Sequence, residues 1–224
     1  MRRGYPAHDP QTTDRRLLVS HSHRFVFVHV YKTGGTSIRR TLGSLCAPVA
    51  CLRNHATALE LRTYFAEHQP EILDYRWFSV VRNPFELNVS LWRHLTEQST
   101  HPDHGKVGQL GFPEFVEWLS AEGWSRCQQP RDWHLVASKP PPRYLTLEQF
   151  LCDDAGKLLV DDVLHTEQLD SEFKRQSERL GFKEKLPHVN QSEHSGYRDY
   201  YDATSKKTIE MHHQSDLQRF GYAY

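Results

Sequence analysis

Two apolar runs, Phe25 to Val30 and Trp77 to Val81, show almost no polar alternation and break into polar turns before apolar residues return at helical spacing. Runs of this kind suit strands covered on both faces, as in a parallel sheet. After the first, Ile38, Leu42 and Leu45 recur at i, i+4 and i+7, so a helix begins near Thr36. After the second, Leu87, Leu91 and Leu95 mark the stripe of another helix, with Pro84 close to its start. Helices are predicted over 57–68, 85–98, 112–121, 167–180 and 203–214, and a short apolar strand over Val49 to Leu52. Thr57-Ala-Leu-Glu60 has the form of a capping box, and Gly181 suits a position just past a helix end. Strand–helix alternation predicts an α/β sheet flanked by helices, with ligands at the carboxyl ends of the strands. An N-terminal arm, 1–23, precedes a single domain over 24–224. His101 to Gly111 and Gln128 to Arg143 read as irregular; Pro140-Pro-Pro142 forbids regular helix in the second. Each is either an acceptor loop or a plain surface connection.

The two turns carry the chemistry. In Lys32-Thr33-Gly34-Gly35-Thr36-Ser37, the glycines let backbone N–H groups approach an anion at a helix N-terminus, and the flanking side chains add donors. A phosphate or sulfate is the expected guest. The order differs from the nucleoside-triphosphatase loop, where the lysine follows the glycines. In Arg82-Asn83-Pro84-Phe85-Glu86-Leu87-Asn88-Val89-Ser90, Arg82 ends a strand and Ser90 lies about two turns into the helix, so both could face one phosphate. Taken singly, Arg82 also fits a surface ion pair and Ser90 a serine bonded to its own helix.

Together these segments resemble the sulfotransferases that use 3′-phosphoadenosine 5′-phosphosulfate, especially the carbohydrate and membrane-type branch. The tail adds to the likeness through Thr166-Glu-Gln-Leu-Asp, Leu186-Pro-His-Val-Asn-Gln-Ser, Tyr197-Arg-Asp-Tyr-Tyr and Ser215-Asp-Leu-Gln-Arg-Phe-Gly-Tyr. The resemblance implies a P-loop-like central parallel sheet and a donor whose 5′-phosphosulfate lies on Lys32, Thr33, Gly34, Gly35, Thr36 and Ser37. It assigns the 3′-phosphate to Arg82 and Ser90, gives Lys32 a catalytic part in the departure of the 5′-phosphate, and requires no metal. A hydroxyl of a carbohydrate or glycoconjugate is the implied acceptor. Two positions depart from the family: Leu87 and His165 stand where Arg is frequent.

A general base completes the chemistry. His55 lies in the turn between the Val49–Leu52 strand and the capped helix, and the family draws a His or Glu base from that loop; helix packing is its plain alternative. Glu60 and Glu86 are next in order, although capping explains Glu60 more simply. His29 reads as a core residue of the first strand, and the pairs His21/His23 and His212/His213 as solvent-exposed.

Composition narrows the field. The 28 basic and 28 acidic side chains cancel, which argues against a dedicated nucleic-acid binder, although residues 1–40 hold eight Lys/Arg against two Asp. No apolar run approaches the ~20 residues of a membrane span, and the N-terminus lacks a signal-peptide core. Cys46, Cys51, Cys127 and Cys152 show neither metal-ligand spacing nor a short disulfide pattern, so reduced thiols in a cytoplasmic protein are expected. The sequons at Asn88 and Asn190 fall inside the donor-binding elements and are read as accidental. Two other readings stay open: a P-loop-like phosphotransferase, which should show a glycine-flanked Lys-Ser/Thr and an acidic Mg²⁺ ligand, and a nucleotide-binding module without catalysis.

Overall fold

Alternation along the strand that begins at Phe25 decides how the sheet is covered. The computed structural model describes residues 17–49, 55–125, 143–186 and 196–224. In β2 (Phe25–Val28), the Phe25 and Phe27 rings pack with Phe78 and Val80 of β4 (Arg76–Val81) on one face of the sheet. Val26 and Val28 join Trp77 and Val81 on the other. All of these side chains are fully buried, as a strand covered on both faces requires.

The sheet has five strands in the order β3-β1-β2-β4-β5, adding β1 (Leu17–Ser20), β3 (Ala47–Val49) and β5 (Asp162–His165). β2, β4 and β5 run parallel, so their carboxyl ends share one edge. β1 pairs antiparallel with both β2 and β3 and extends the expected parallel sheet with an antiparallel flank. The sheet therefore begins inside the stretch expected to be an arm. Leu17, Leu18 and Val19 are buried, but a four-residue strand set among arginines carries too little pattern to be read from sequence. β5 escaped for a similar reason, being short and half-polar. Residues 1–16, the remainder of the Val49–Leu52 segment, most of Gln128 to Arg143, Asn190, Cys51 and Cys127 lie outside the described residues.

Against the Phe25/Phe27 face lie α1 (Gly35–Leu42), through Ile38 and Leu42, and α7 (Leu169–Leu180), through Phe173. The opposite face is covered by α2 (Ala58–His68), through Leu61 and Phe65, and by α6 (Leu147–Leu151), through Leu147 and Phe150. α2 has the capping box read from sequence, and Gly181 ends α7 with φ 74° in the left-handed region that glycine favours. α3 (Pro84–Glu97) starts at Pro84 behind an Asn83 cap, whose side chain accepts from Phe85 N–H. The irregular stretch after it contains one helical turn, α4 (His104–Val107). α5 (Phe112–Trp118) and α8 (Ala203–His212) then build a second core with α3, and α9 (Gln214–Phe220) follows as a separate helix. No helix among the described residues is long and apolar enough to cross a membrane.

The pair His212/His213 is not solvent-exposed, contrary to the expectation. His213 is 2% exposed and its Nδ1–H donates to Asp216 at 2.8 Å. Its Nε2 accepts from the Asn88 amide at 3.1 Å, and that amide also donates to Pro84 O. Asp216 in turn accepts the N–H groups of Leu147 and Glu148, which ties α3, α6 and α9 into one satisfied polar network. His212 stacks on Trp124. Helical spacing alone did not reveal a second core on that side. Asn88, at 3% exposure and bonded on its amide, is no glycan acceptor.

Candidate functional site

The parallel strands deliver three turns to one edge, and hydrogen bonds hold them together. Thr166, just past β5, donates to Val81 O at 2.8 Å and to Thr33 O at 3.3 Å, so all three strand ends meet at one hydroxyl. Thr33 is buried and its own hydroxyl donates to Val30 O at 2.9 Å. That side chain therefore closes the turn and leaves only backbone for a ligand. Thr36 is exposed and Ser37 half-buried beside it.

Gly34 caps α1 with φ 81°, and α1 has neither a side-chain cap nor an acid in its first turn. Ser37 N–H turns back to Gly34 O at 3.1 Å, and the N–H groups of Gly35 and Thr36 are left to an outside acceptor, the arrangement that favours an anion. Gly35 has a second reason to be glycine: a Cβ there would fall 1.9 Å from His29 Nε2. The buried His29 ring lies against the start of the helix. Gly35→Ala should therefore cost about 1–3 kcal/mol by overpacking, checked by urea denaturation; wild-type stability would show that His29 moves aside freely.

Lys32 is one of two non-glycine residues with positive φ among the described residues, at 59°. Its ammonium is pulled below the ordinary lysine range first by burial and then by the Arg82 charge, while Glu97 opposes the shift. Arg82 donates from Nη1 to Lys32 O at 3.2 Å and from Nε to Glu86 at 3.3 Å. The guanidinium thus lies on the backbone of the loop that leads into the uncapped helix, near enough to the Lys32 ammonium to lower it, with Glu86 and Glu97 as the carboxylates already beside the two cations. Ser90 is half-buried on α3, one turn beyond Glu86.

His55 sits across this edge from α3. Its Nδ1–H donates to His29 O at 3.0 Å, its ring lies 4.5 Å from the His29 ring, and burial pushes it down to about 4. That value is the net result: the nearby charges of Arg39, His94 and Lys32 also lower it, and the bond to His29 O opposes them. At neutral pH the ring is uncharged with Nδ1 as the donor, so Nε2 carries the lone pair. Glu60 accepts from Thr57 N–H and from Arg143, and Glu86 serves Arg82; both alternative carboxylates have structural partners.

Sequence reasoning missed His94 and Glu97. They continue the helical face of Glu86 and Ser90, and His94 is lowered by burial, Lys32 and His101, with Glu97 opposing. Extending the Arg82–Ser90 face by two turns would have found them. His165 ends β5 beside Val81, with Nδ1 3.4 Å from Glu172 and its ring against Tyr222. Its neighbours explain its place in the fold and not its departure from the family. A separate cleft of about 500 Å³ opens beside the α2 cap, lined by Thr57, Glu60, Arg143, Leu145, Gln149 and Asp153 among others.

No curated protein and no solved structure matches the chain. A model of the Sulfotransferase family matches residues 15–223, from the first strand of the sheet to the last turn of the tail. The match takes in every turn that meets at the Thr166 hydroxyl, and by it the chain belongs to the sulfotransferase family, whose members transfer sulfuryl groups.

Proposed function

We propose that this sulfotransferase takes its sulfuryl group from 3′-phosphoadenosine 5′-phosphosulfate and passes it to a hydroxyl of a carbohydrate or glycoconjugate. One observation carries the donor assignment: Arg82 lies on the backbone of Lys32 and close to its charge, in the loop that leads into the uncapped N-terminus of α1. The residues present fit a donor with two separated anionic groups. The α1 turn, from Lys32 to Ser37, takes the 5′-phosphosulfate, with Thr33 contributing backbone; Arg82 and Ser90 take the 3′-phosphate. The carbohydrate acceptor rests on the family resemblance alone.

In the transfer, the acceptor oxygen bonds to sulfur as the bond from sulfur to the bridging phosphate oxygen breaks. His55 receives the acceptor proton at Nε2, and Lys32 offsets the charge that gathers on the departing oxygen. Two observations support these roles: the imidazole has its lone pair on Nε2, and the Lys32 ammonium is held below the ordinary lysine range by burial and by Arg82.

Ligand binding tests the reading. Charge-assisted hydrogen bonds of about 1.5–3 kcal/mol predict that Arg82→Ala weakens adenosine 3′,5′-bisphosphate about 10- to 150-fold and adenosine 5′-phosphosulfate much less. Equal loss for both ligands removes the 3′-phosphate from Arg82. Wild-type melting temperatures should rise with the bisphosphate more than with ATP; the reverse order would favour a phosphotransferase.

A further inference from the structure

His55 reaches the site from a turn, and a turn holds a side chain in place only when its neighbours fix it. Its downstream neighbour is the α2 cap. Thr57 and Glu60 form the box, with Glu60 Oε2 accepting from Thr57 N–H at 2.7 Å. A capping glutamate is usually exposed, whereas the Glu60 side chain is 1% exposed and accepts Arg143 Nη2 on both oxygens, at 2.8 and 3.1 Å. The next link runs the other way. Leu145 O accepts from the Tyr31 hydroxyl at 2.8 Å, and Tyr31 directly precedes Lys32. The Tyr31 ring also meets His55 edge-on at 6.3 Å and Phe150 at 5.4 Å. One short segment is therefore bonded at one end to the cap that follows His55 and at the other to the residue beside Lys32.

We propose that Arg143–Leu145 is a clamp that sets His55 against Lys32, with Glu60 and Arg143 as positioning residues acting through the α2 cap. Stability alone is a poor account of the buried pair, because well-packed apolar residues often replace such pairs without loss. What apolar residues lack is the fixed geometry of a guanidinium on a carboxylate. The groups around the imidazole are His29, Tyr31, Lys32, Arg39 and His94, each on an element outside the turn. Where the ring stands among them depends on how its own turn is held. The clamp deepens the reading of His55 as the base and rests on it, so its test must separate the two.

Glu60→Gln alone leaves a buried guanidinium without its counter-charge and invites unfolding. The informative variant is Glu60→Gln combined with Arg143→Met, which keeps the cap, since Gln serves at that position, and nearly keeps the volume. Three measurements follow: adenosine 3′,5′-bisphosphate affinity, the His55 ring titration by NMR, and sulfate released from labelled 3′-phosphoadenosine 5′-phosphosulfate with water as acceptor. We expect affinity within about twofold of wild type, sulfate release down about 10- to 100-fold, and a titration moved upward from about 4 toward 6.5 as water enters the turn. Arg143→Lys, which keeps the charge but puts it on a shorter, non-planar head, should fall between the double variant and wild type. A moved titration with unchanged sulfate release upholds the clamp and removes His55 from the chemistry. An unmoved titration in a folded double variant overturns the clamp, whatever the rate.

Discussion

His55→Ala should lower turnover about 10²- to 10⁴-fold, the range for a general base, while leaving adenosine 3′,5′-bisphosphate affinity nearly unchanged. The imidazole is bonded through Nδ1 to His29 O, and that contact involves no residue placed on the donor phosphates. Steady-state kinetics with labelled donor and an active hydroxyl acceptor, beside calorimetry with the bisphosphate, make the test. Full activity in His55→Ala would return the search to other side chains, with His94 facing Lys32 ahead of the occupied Glu60 and Glu86.

The pH dependence sharpens this. A base must be unprotonated, so kcat/KM should stay level as pH falls through 6.5 and drop only toward about 4, the value to which burial pushes His55. An anionic donor beside Lys32 offsets one of the charges that lower the ring, so the acid limb of kcat should lie at higher pH than that of kcat/KM. Stability moves in the same window. Because the folded-state value lies below the ordinary 6.5, the unfolded chain binds the extra proton, and His55 contributes stability above about 6.5 that is lost as pH falls toward about 4. His212, pushed by burial down to about 4, adds to this loss, so circular dichroism must accompany the rate profile.

Lys32→Ala should reduce turnover about 10²- to 10³-fold, as removal of a donor at the charge-bearing oxygen does, with a smaller effect on donor binding. The backbone control is built in, because alanine keeps the cost of φ 59° while Lys32→Gly relieves it. Gly and Ala variants of equal turnover and unequal stability would separate the charge from the strained turn. Lys32→Arg should not restore the rate, since a planar fork does not replace a compact, partly buried ammonium near the Arg82 charge. Wild-type turnover at saturating donor in Lys32→Ala would remove the lysine from the mechanism.

Much of the scaffold was legible because its signals are local. Phe25–Val28, Trp77–Val81, the α2 capping box, Pro84 at the start of α3 and Gly181 at the end of α7 depend on neighbouring residues alone, and all stand where expected. β1 and β5 were not legible, since short strands without the longer apolar run that surrounds β2 become strands by pairing with β2 and β4. α9 was not predicted: the helix read over 203–214 stops where it begins, because helical spacing does not show where His213 turns inward to Asp216 and Asn88.

The site divides in the same way. Sequence by itself determined which turns carry donors and cations, because glycines, a lysine and an arginine at strand ends are local facts of the chain. Only the tertiary structure decided what those groups meet. It placed Arg82 on the Lys32 carbonyl, the His29 ring where a Gly35 side chain would stand, and His55 on the His29 carbonyl. It also committed Glu60 to Arg143 and turned the Thr33 hydroxyl inward. Each of these contacts joins residues from different elements or depends on the path of a turn, and a burial or a charge interaction exists only once the sheet has brought its parallel strand ends to one edge.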